Sequence, residues 1–126
     1  MGGIFYLSAM KKPPFHKSVI YSIKGFLWML KSERNFQLEV FALLINLVLI
    51  VYLQLNTTDT ALILMVCFSV LITEIINTAI EKICDFVEPN FNEKIGLIKD
   101  LAAGAVILAT LLSIIVGFLV YPKYVF

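Results

Sequence analysis

Three long apolar stretches constrain this chain more than anything else in it. They run roughly over residues 38–55, 60–84 and 97–121, and each reaches the length of about 20 residues that a helix needs to cross a bilayer. Short polar segments separate them. Asn56-Thr57-Thr58-Asp59 reads as a tight turn, and Phe86 to Lys94, with Pro89 stopping the helix, reads as the second link. Composition agrees: 60% of the 126 residues are hydrophobic, 15% are charged, and mean hydropathy is +0.94. A soluble domain would carry about 25% charged residues. The length suits one domain and not two. A net charge of +1 leaves no basic field for nucleic acid, so no nucleic-acid partner is expected.

The remaining chain supports an all-α integral membrane protein. Residues 1–16 read as a disordered leader with no signal-peptide pattern, and Met10 competes with Met1 as the start. Residues 17–126 read as a single membrane domain. Pro13-Pro14 forces an extended entry into a helix over 17–36. There Val19, Ile23, Phe26, Leu27 and Leu30 recur at helical spacing, while Lys17, Lys24 and Lys31 lie seven apart on the other side. That is the pattern of an amphipathic helix in the membrane interface. Of the Lys and Arg residues, six precede the first span, none lies in the 56–59 turn, and three fall between Lys82 and Lys99. The positive-inside rule therefore places the N-terminus and the second link in the cytoplasm, with the tail from Tyr121 to Phe126 outside.

Against this background the end of the second span is anomalous. Glu74, Asn77, Glu81 and Asp85 are spaced three, four and four apart, within about 80° of arc on one helical face. Ile75, Ile76, Ala79, Ile80 and Ile83 cover the opposite side. Ionisable groups at membrane depth cost about 2.5–3.5 kcal/mol each on insertion scales, so such a row marks a functional site. Topology brings it to the cytoplasmic surface, where Glu33, Arg34, Asn35, Lys99 and Asp100 are expected to converge on it. Carboxylates at a wet interface suit Mg²⁺, which takes one or two of them together with phosphates and water. Lys99 supplies a phosphate partner, Asp100 can orient that ammonium, and a deeper carboxyl can accept a proton from an alcohol. Phosphoryl transfer needs little more than such positioning and charge neutralisation. Neither GxxxxGK[ST] nor GxGxxG occurs, so a nucleotide site would be built from helix faces.

Other polar residues have plainer readings. Glu39 reads as a carboxylate favoured at a helix N-terminus, and Asn46 as a polar contact between helices. Cys67 and Cys84 read as apolar free thiols. Ala102, Ala103, Gly104 and Ala105 read as close helix packing. An ion-conducting subunit would need carboxyls continuing across the membrane, but none lies between Ala61 and Leu71. A non-catalytic assembly module leaves the cost of the carboxyl row unexplained.

Glu74-x-x-Asn77-Thr78-Ala79-Ile80-Glu81-x-x-x-Asp85 followed by Lys99-Asp100-x-Ala102-Ala103-Gly104-Ala105-Val106, with Tyr21-Ser22-x-Lys24-Gly25 and Ser32-Glu33-Arg34-Asn35-Phe36 upstream, resembles the prokaryotic diacylglycerol kinase and undecaprenol kinase family. The likeness covers the chain from about Lys17 to Gly117. It implies a homotrimeric kinase of the bacterial inner membrane, with its active site on the cytoplasmic side. The reaction implied is transfer of the γ-phosphoryl of MgATP to a lipid alcohol. By that resemblance Glu74 is the general base. Glu33 and Glu81 hold Mg²⁺ with the ATP phosphates. Asn77, Asp85, Lys99 and Asp100 orient the phosphates and the catalytic carboxyl, and Tyr21 and Lys24 lie near the nucleotide. The Ala102-Ala103-Gly104 stretch stands where diacylglycerol kinases usually carry a Ser, and Pro13-Pro14 stands where they place a basic residue. Both departures favour undecaprenol over diacylglycerol as the acceptor.

Overall fold

A computed structural model describes residues 13–126. Residues 1–12 of the expected leader, and the choice between Met1 and Met10, lie outside the described residues. Every regular element among the described residues is a helix: α1 (Phe15–Ser32), α2 (Arg34–Tyr52), α3 (Thr57–Val87), α4 (Glu93–Val120) and the short α5 (Pro122–Val125). The chain divides into two compact units, the first ending at Gln37 and the second beginning at Leu38.

In the first unit Pro14 is extended (φ −61°, ψ 154°), as a Pro-Pro entry demands. The helix expected over 17–36 is instead two helices meeting at Glu33. That residue is extended (φ −108°, ψ 114°) and serves both neighbours. Its N–H donates to Met29 O at 2.9 Å, and its carbonyl accepts from Gln37 N at 3.1 Å. Gln37 Nε2 also donates to Leu30 O at 3.0 Å, covering a carbonyl that the end of α1 leaves unpaired. Phe36 is fully buried and meets Phe26 edge-on, with centroids 5.3 Å apart and planes at 78°. Such a pair contributes about 0.5–1.5 kcal/mol beyond area burial. The corner holding Glu33 is thus fixed by backbone and aromatic contacts together. Val19, Ile23, Phe26 and Leu27 remain exposed, the uncovered apolar face that an interfacial helix offers to lipid.

The second unit contains α3, α4 and nearly all of α2. All three helices are long and apolar enough to cross a membrane. α3 is the central one: 39% of its apolar window is buried, against 6% for each of the others. Ile63, Val66, Val70, Leu71 and, near its far end, Cys84 are its buried apolar residues. The turn between α2 and α3 lies earlier than expected. Gln54 adopts the left-handed conformation (φ 55°), with Gln54 N bonded to Val51 O and Leu55 N to Ile50 O. These are the two bonds of a Schellman stop. Asn56 then caps α3 by accepting from Asp59 N at 2.8 Å. Asn56-Thr57-Thr58-Asp59 is accordingly the start of a helix, because an Asn at the cap and an Asp three residues on satisfy and complement its orphan N–H groups.

α3 and α4 pack antiparallel, paired at both ends. At one end Glu88 closes α3 ahead of Pro89, and Asn92 caps α4 by accepting from Lys94 N and Ile95 N. At the other, Asp59 accepts from Lys123 Nζ at 3.0 Å and from Tyr124 OH at 2.7 Å, while Asn56 N donates to Tyr124 OH. The C-terminal segment expected as a tail is therefore folded: Pro122 opens α5, which seats on the start of α3. Asn46 has the interhelical role expected of it, accepting from Tyr121 OH. The close-packing role expected of the small residues holds for Ala102, which is buried, but a Cβ on Gly104 would meet nothing within 4 Å.

Candidate active site

The polar stripe on α3 is graded by depth. Glu74, Asn77 and Thr78 are buried, with relative exposures of 5%, 8% and 5%, whereas Glu81 and Asp85 are exposed. α3 is still covered on another side here, at Cys84, so Glu81 and Asp85 are exposed because the neighbouring helices no longer cover their face. Asn77 links the two regimes. Its Nδ2 donates to Glu81 Oε1 at 2.7 Å, one helical turn away, while its Oδ1 is buried and unpaired. A hydrogen bond to a charged group contributes about 1.5–3 kcal/mol. One oxygen of Glu81 is thereby held, leaving the other for further ligands.

The Glu74 carboxyl lies against that of Glu39, which α2 brings to it. This corrects the reading of Glu39 as a helix-terminal charge. It sits five residues into α2, beyond the first turn where the dipole acts, and faces α3 rather than headgroups. The sequence carries one usable hint, a carboxyl within an apolar helix, but its partner depends on how α2 and α3 pair. The second oxygen of Glu39 is buried and unbonded. It borders a partly open cavity of about 180 Å³, to which Asn46, Cys67, Thr110 and Ser113 also contribute. The roomier grooves lie on outer apolar faces, for example along Ile114, Phe118 and Val125, and offer no reacting group.

At the exposed end of the stripe Lys99 Nζ donates to Asp85 Oδ1 at 2.5 Å. Asp85, not Asp100, therefore orients this ammonium. Antiparallel packing sets α4 so that Lys99 meets the last turns of α3, while Asp100, one residue on, is exposed. The Lys99 and Asp85 side chains are 38% and 59% exposed, and ion pairs so open to solvent add little to stability. The pair positions charge more than it holds the fold.

Tyr21, Lys24 and Glu33 belong to the first unit, Tyr21 and Lys24 on α1 and Glu33 at its junction with α2. The second unit gathers Glu39, Glu74, Asn77 and Glu81 in one row, with Asp85 and Lys99 at its open end. Among the described residues no three His, Cys, Asp or Glu side chains form a closed metal cage. Glu81 nevertheless fits Mg²⁺, which binds through one or two carboxylates and otherwise uses phosphate oxygens and water.

The family described as prokaryotic diacylglycerol kinase matches residues 20–121. The chain is similar to an undecaprenol kinase of Bacillus subtilis, 30% identical over 110 residues that span 86% of this chain and 89% of the relative. It is also similar to a diacylglycerol kinase of Escherichia coli, 30% identical over 99 residues spanning 79% of this chain and 81% of the relative. A diacylglycerol kinase of Synechocystis is 32% identical over 98 residues, which span 77% of this chain and 56% of that protein. The row of carboxyls on an apolar helix, the Lys99–Asp85 pair and these matches lead to one conclusion: the chain belongs to the prokaryotic diacylglycerol kinase family.

Proposed function

We propose that the chain transfers the γ-phosphoryl group of MgATP to a membrane lipid alcohol at the α3 stripe, with undecaprenol favoured over diacylglycerol. Family membership carries the coarser part: the protein is a bacterial membrane lipid kinase, and ATP is its phosphoryl donor. The observation that carries the assignment to this site is the graded stripe itself. Glu74 is shielded by the bundle, where a desolvated carboxyl can serve as a base, and Asp85 with Lys99 is open at the end of the same face, where a triphosphate can reach.

Each residue then has a task within its surroundings. Glu74 accepts the hydroxyl proton of the lipid as the oxygen attacks phosphorus. Asn77 fixes Glu81, and Lys99, oriented by Asp85, neutralises phosphate oxygens, with Asp100 beside it. Glu81 and Glu33 are the residues that would hold Mg²⁺. When bound, that cation supplies positive charge against the phosphate oxygens. Tyr21 and Lys24 on α1 are assigned to the nucleotide. The distribution of Lys and Arg supports a site on the cytoplasmic side. The enzyme is assigned as a homotrimer, in keeping with the uncovered apolar faces of α2 and α4.

The preference for undecaprenol rests on Ala102-Ala103-Gly104 and Pro13-Pro14, and the Bacillus subtilis relative named undecaprenol kinase is consistent with it. The second reading, diacylglycerol as acceptor, is favoured by the relatives of that name. The test is a side-by-side assay of detergent-solubilised protein with ATP, Mg²⁺ and each lipid alcohol. We expect phosphorylated product from both, with the larger kcat/KM for undecaprenol. Product from neither, with EDTA making no difference, refutes the kinase assignment at this site.

A further inference from the structure

The chain from Tyr121 onward reaches back to two other helices. α4 ends at Val120, which is 2% exposed, and Tyr121 N–H donates to Gly117 O at 3.0 Å before Pro122 opens α5. Lys123 Nζ donates to both oxygens of Asp59, at 3.0 and 3.2 Å. Tyr124 OH donates to Asp59 Oδ2 at 2.7 Å and accepts from Asn56 N at 3.1 Å. The Asp59 side chain is 7% exposed, and a cation and a hydroxyl partner it as a buried charge requires. α5 is thereby pinned to the start of α3, which holds Tyr121 immediately before it. Tyr121 OH in turn donates to Asn46 Oδ1 on α2. The Asn46 amide is itself oriented, because its Nδ2 donates to Ala42 O at 2.8 Å and leaves Oδ1 for α4.

This tie bears on the buried end of the stripe. Asn46 and Glu39 are seven residues apart, so they share a face of α2 about 10 Å from each other, and both border the same cavity. Glu39 lies against Glu74. Apolar packing fixes α2 poorly within one chain: 6% of its apolar window is buried, and its buried residue Phe36 belongs to the first unit. An apolar helix surface can slide or turn against its neighbours at little loss, whereas a hydrogen bond between polar side chains selects one partner and one geometry. We propose that Tyr121 is a positioning residue for phosphoryl transfer: bonded to Asn46 and held by the Asp59 clasp, it sets the register of α2 at which Glu39 meets Glu74. The inference rests on the reading of Glu74 as the base. A base must lie within hydrogen-bond reach of the proton it takes, and Glu39 limits where the Glu74 carboxyl can swing. The Lys99–Asp85 pair joins α4 to α3 without α2, so the register of α2 does not act through it.

The test is a set of kinetic cycles on the full-length protein in lipid nanodiscs. Tyr121→Phe keeps the ring and removes the hydroxyl, and Asn46→Leu removes the acceptor from the α2 side. Loss of one neutral hydrogen bond predicts a kcat lowered about two- to tenfold in each, with the two together no worse than either alone. Glu39→Gln should lower kcat at least as far, and adding Tyr121→Phe to it should lower kcat no further. Combined with Asp85→Asn, by contrast, Tyr121→Phe should multiply the loss in kcat/KM, as independent sites do. Normal kcat in Tyr121→Phe, Asn46→Leu or Glu39→Gln, with Glu74→Gln inactive, overturns the positioning role and leaves the base in place. A Tyr121→Phe loss that multiplies the Glu39→Gln loss makes the bond a structural tie only, and overturns the role as well. Glu74→Gln turning over normally is a distinct failure: it removes the base on which the inference rests.

Discussion

Replacing Asn77 with alanine tests the most specific geometric claim about the stripe. Asn77 is 8% exposed and donates one hydrogen bond, 2.7 Å long, to a carboxylate one turn nearer the surface. Asn77→Ala removes that donor and leaves Glu81 mobile on an exposed helix face. If the held orientation of Glu81 is used in the transition state, the loss is that of one hydrogen bond to a charged group, about 1.5–3 kcal/mol. At 1.36 kcal/mol per factor of ten, this predicts a fall in kcat/KM of about 10- to 150-fold. The assay is steady-state phosphorylation of the lipid at several Mg²⁺ concentrations, with Asn77→Ala, Glu81→Gln and the double variant compared as a cycle. Because Asn77 acts through Glu81, the double variant should be barely worse than Glu81→Gln alone, giving a coupling energy close to the whole Asn77 effect. Asn77→Asp, which sets a second carboxylate against Glu81, should be worse than alanine. Fully additive effects, or an Asn77→Ala loss under threefold beside a large Glu81→Gln loss, would refute the positioning argument.

Glu74→Gln should reduce turnover by about 10²-fold or more, the usual contribution of a general base, without altering the oligomer; activity near normal would rule it out as the base. Glu33→Gln and Glu81→Gln should each raise the Mg²⁺ needed for half-maximal rate, and unchanged metal titrations would place the ligands elsewhere. Asp85→Asn should raise KM for ATP with little change in stability, because the pair with Lys99 is solvent-exposed; a large loss of stability in detergent with normal KM would make it a structural bridge. Gln54→Gly should stabilise the protein by up to about 1 kcal/mol, since a non-glycine residue there bears the left-handed conformation; a lower unfolding midpoint would refute that account.

The helices and the stripe were legible in the sequence because both depend on local periodicity and length. An apolar run of bilayer length has one folding outcome, and residues three and four apart share a face wherever the helix sits. Boundaries depended on chemistry at single residues. Asn56 and Asp59 carry the cap-and-N3 spacing of a helix start, a signal that was present but read as a turn. The break at Glu33 had no comparable signal, because it is made by Gln37 and Phe36 folding back on α1. Pairings between helices were legible only where loop length dictates them. A short link makes α3 and α4 antiparallel, but one residue of register decides whether Lys99 or Asp100 faces Asp85. Glu39 was missed for the same reason, as nothing local distinguishes a carboxyl that faces headgroups from one that faces another carboxyl.

The placement of Glu39 also bears on how the membrane tolerates the site. Two separate carboxylates at the depth of Glu39 and Glu74 would cost about 5–7 kcal/mol on insertion scales, a large fraction of the stability of a small domain. Two carboxyls set against each other cannot both ionise cheaply, and a pair that kept one proton would carry a single charge at roughly half that cost. The remaining polar groups are arranged so that no second charge lies at that depth: Asn77 and Thr78 are neutral, and the next carboxylates, Glu81 and Asp85, are at the exposed end. A kinase whose acceptor stays in the bilayer and whose donor stays in water needs a base at one depth and cations at another. One helix supplies that separation through its rise alone, about 10 Å from Glu74 to Glu81. The neighbouring helices then set which charges are held: α2 brings Glu39 to the buried end, and α4 brings Lys99 to the open one.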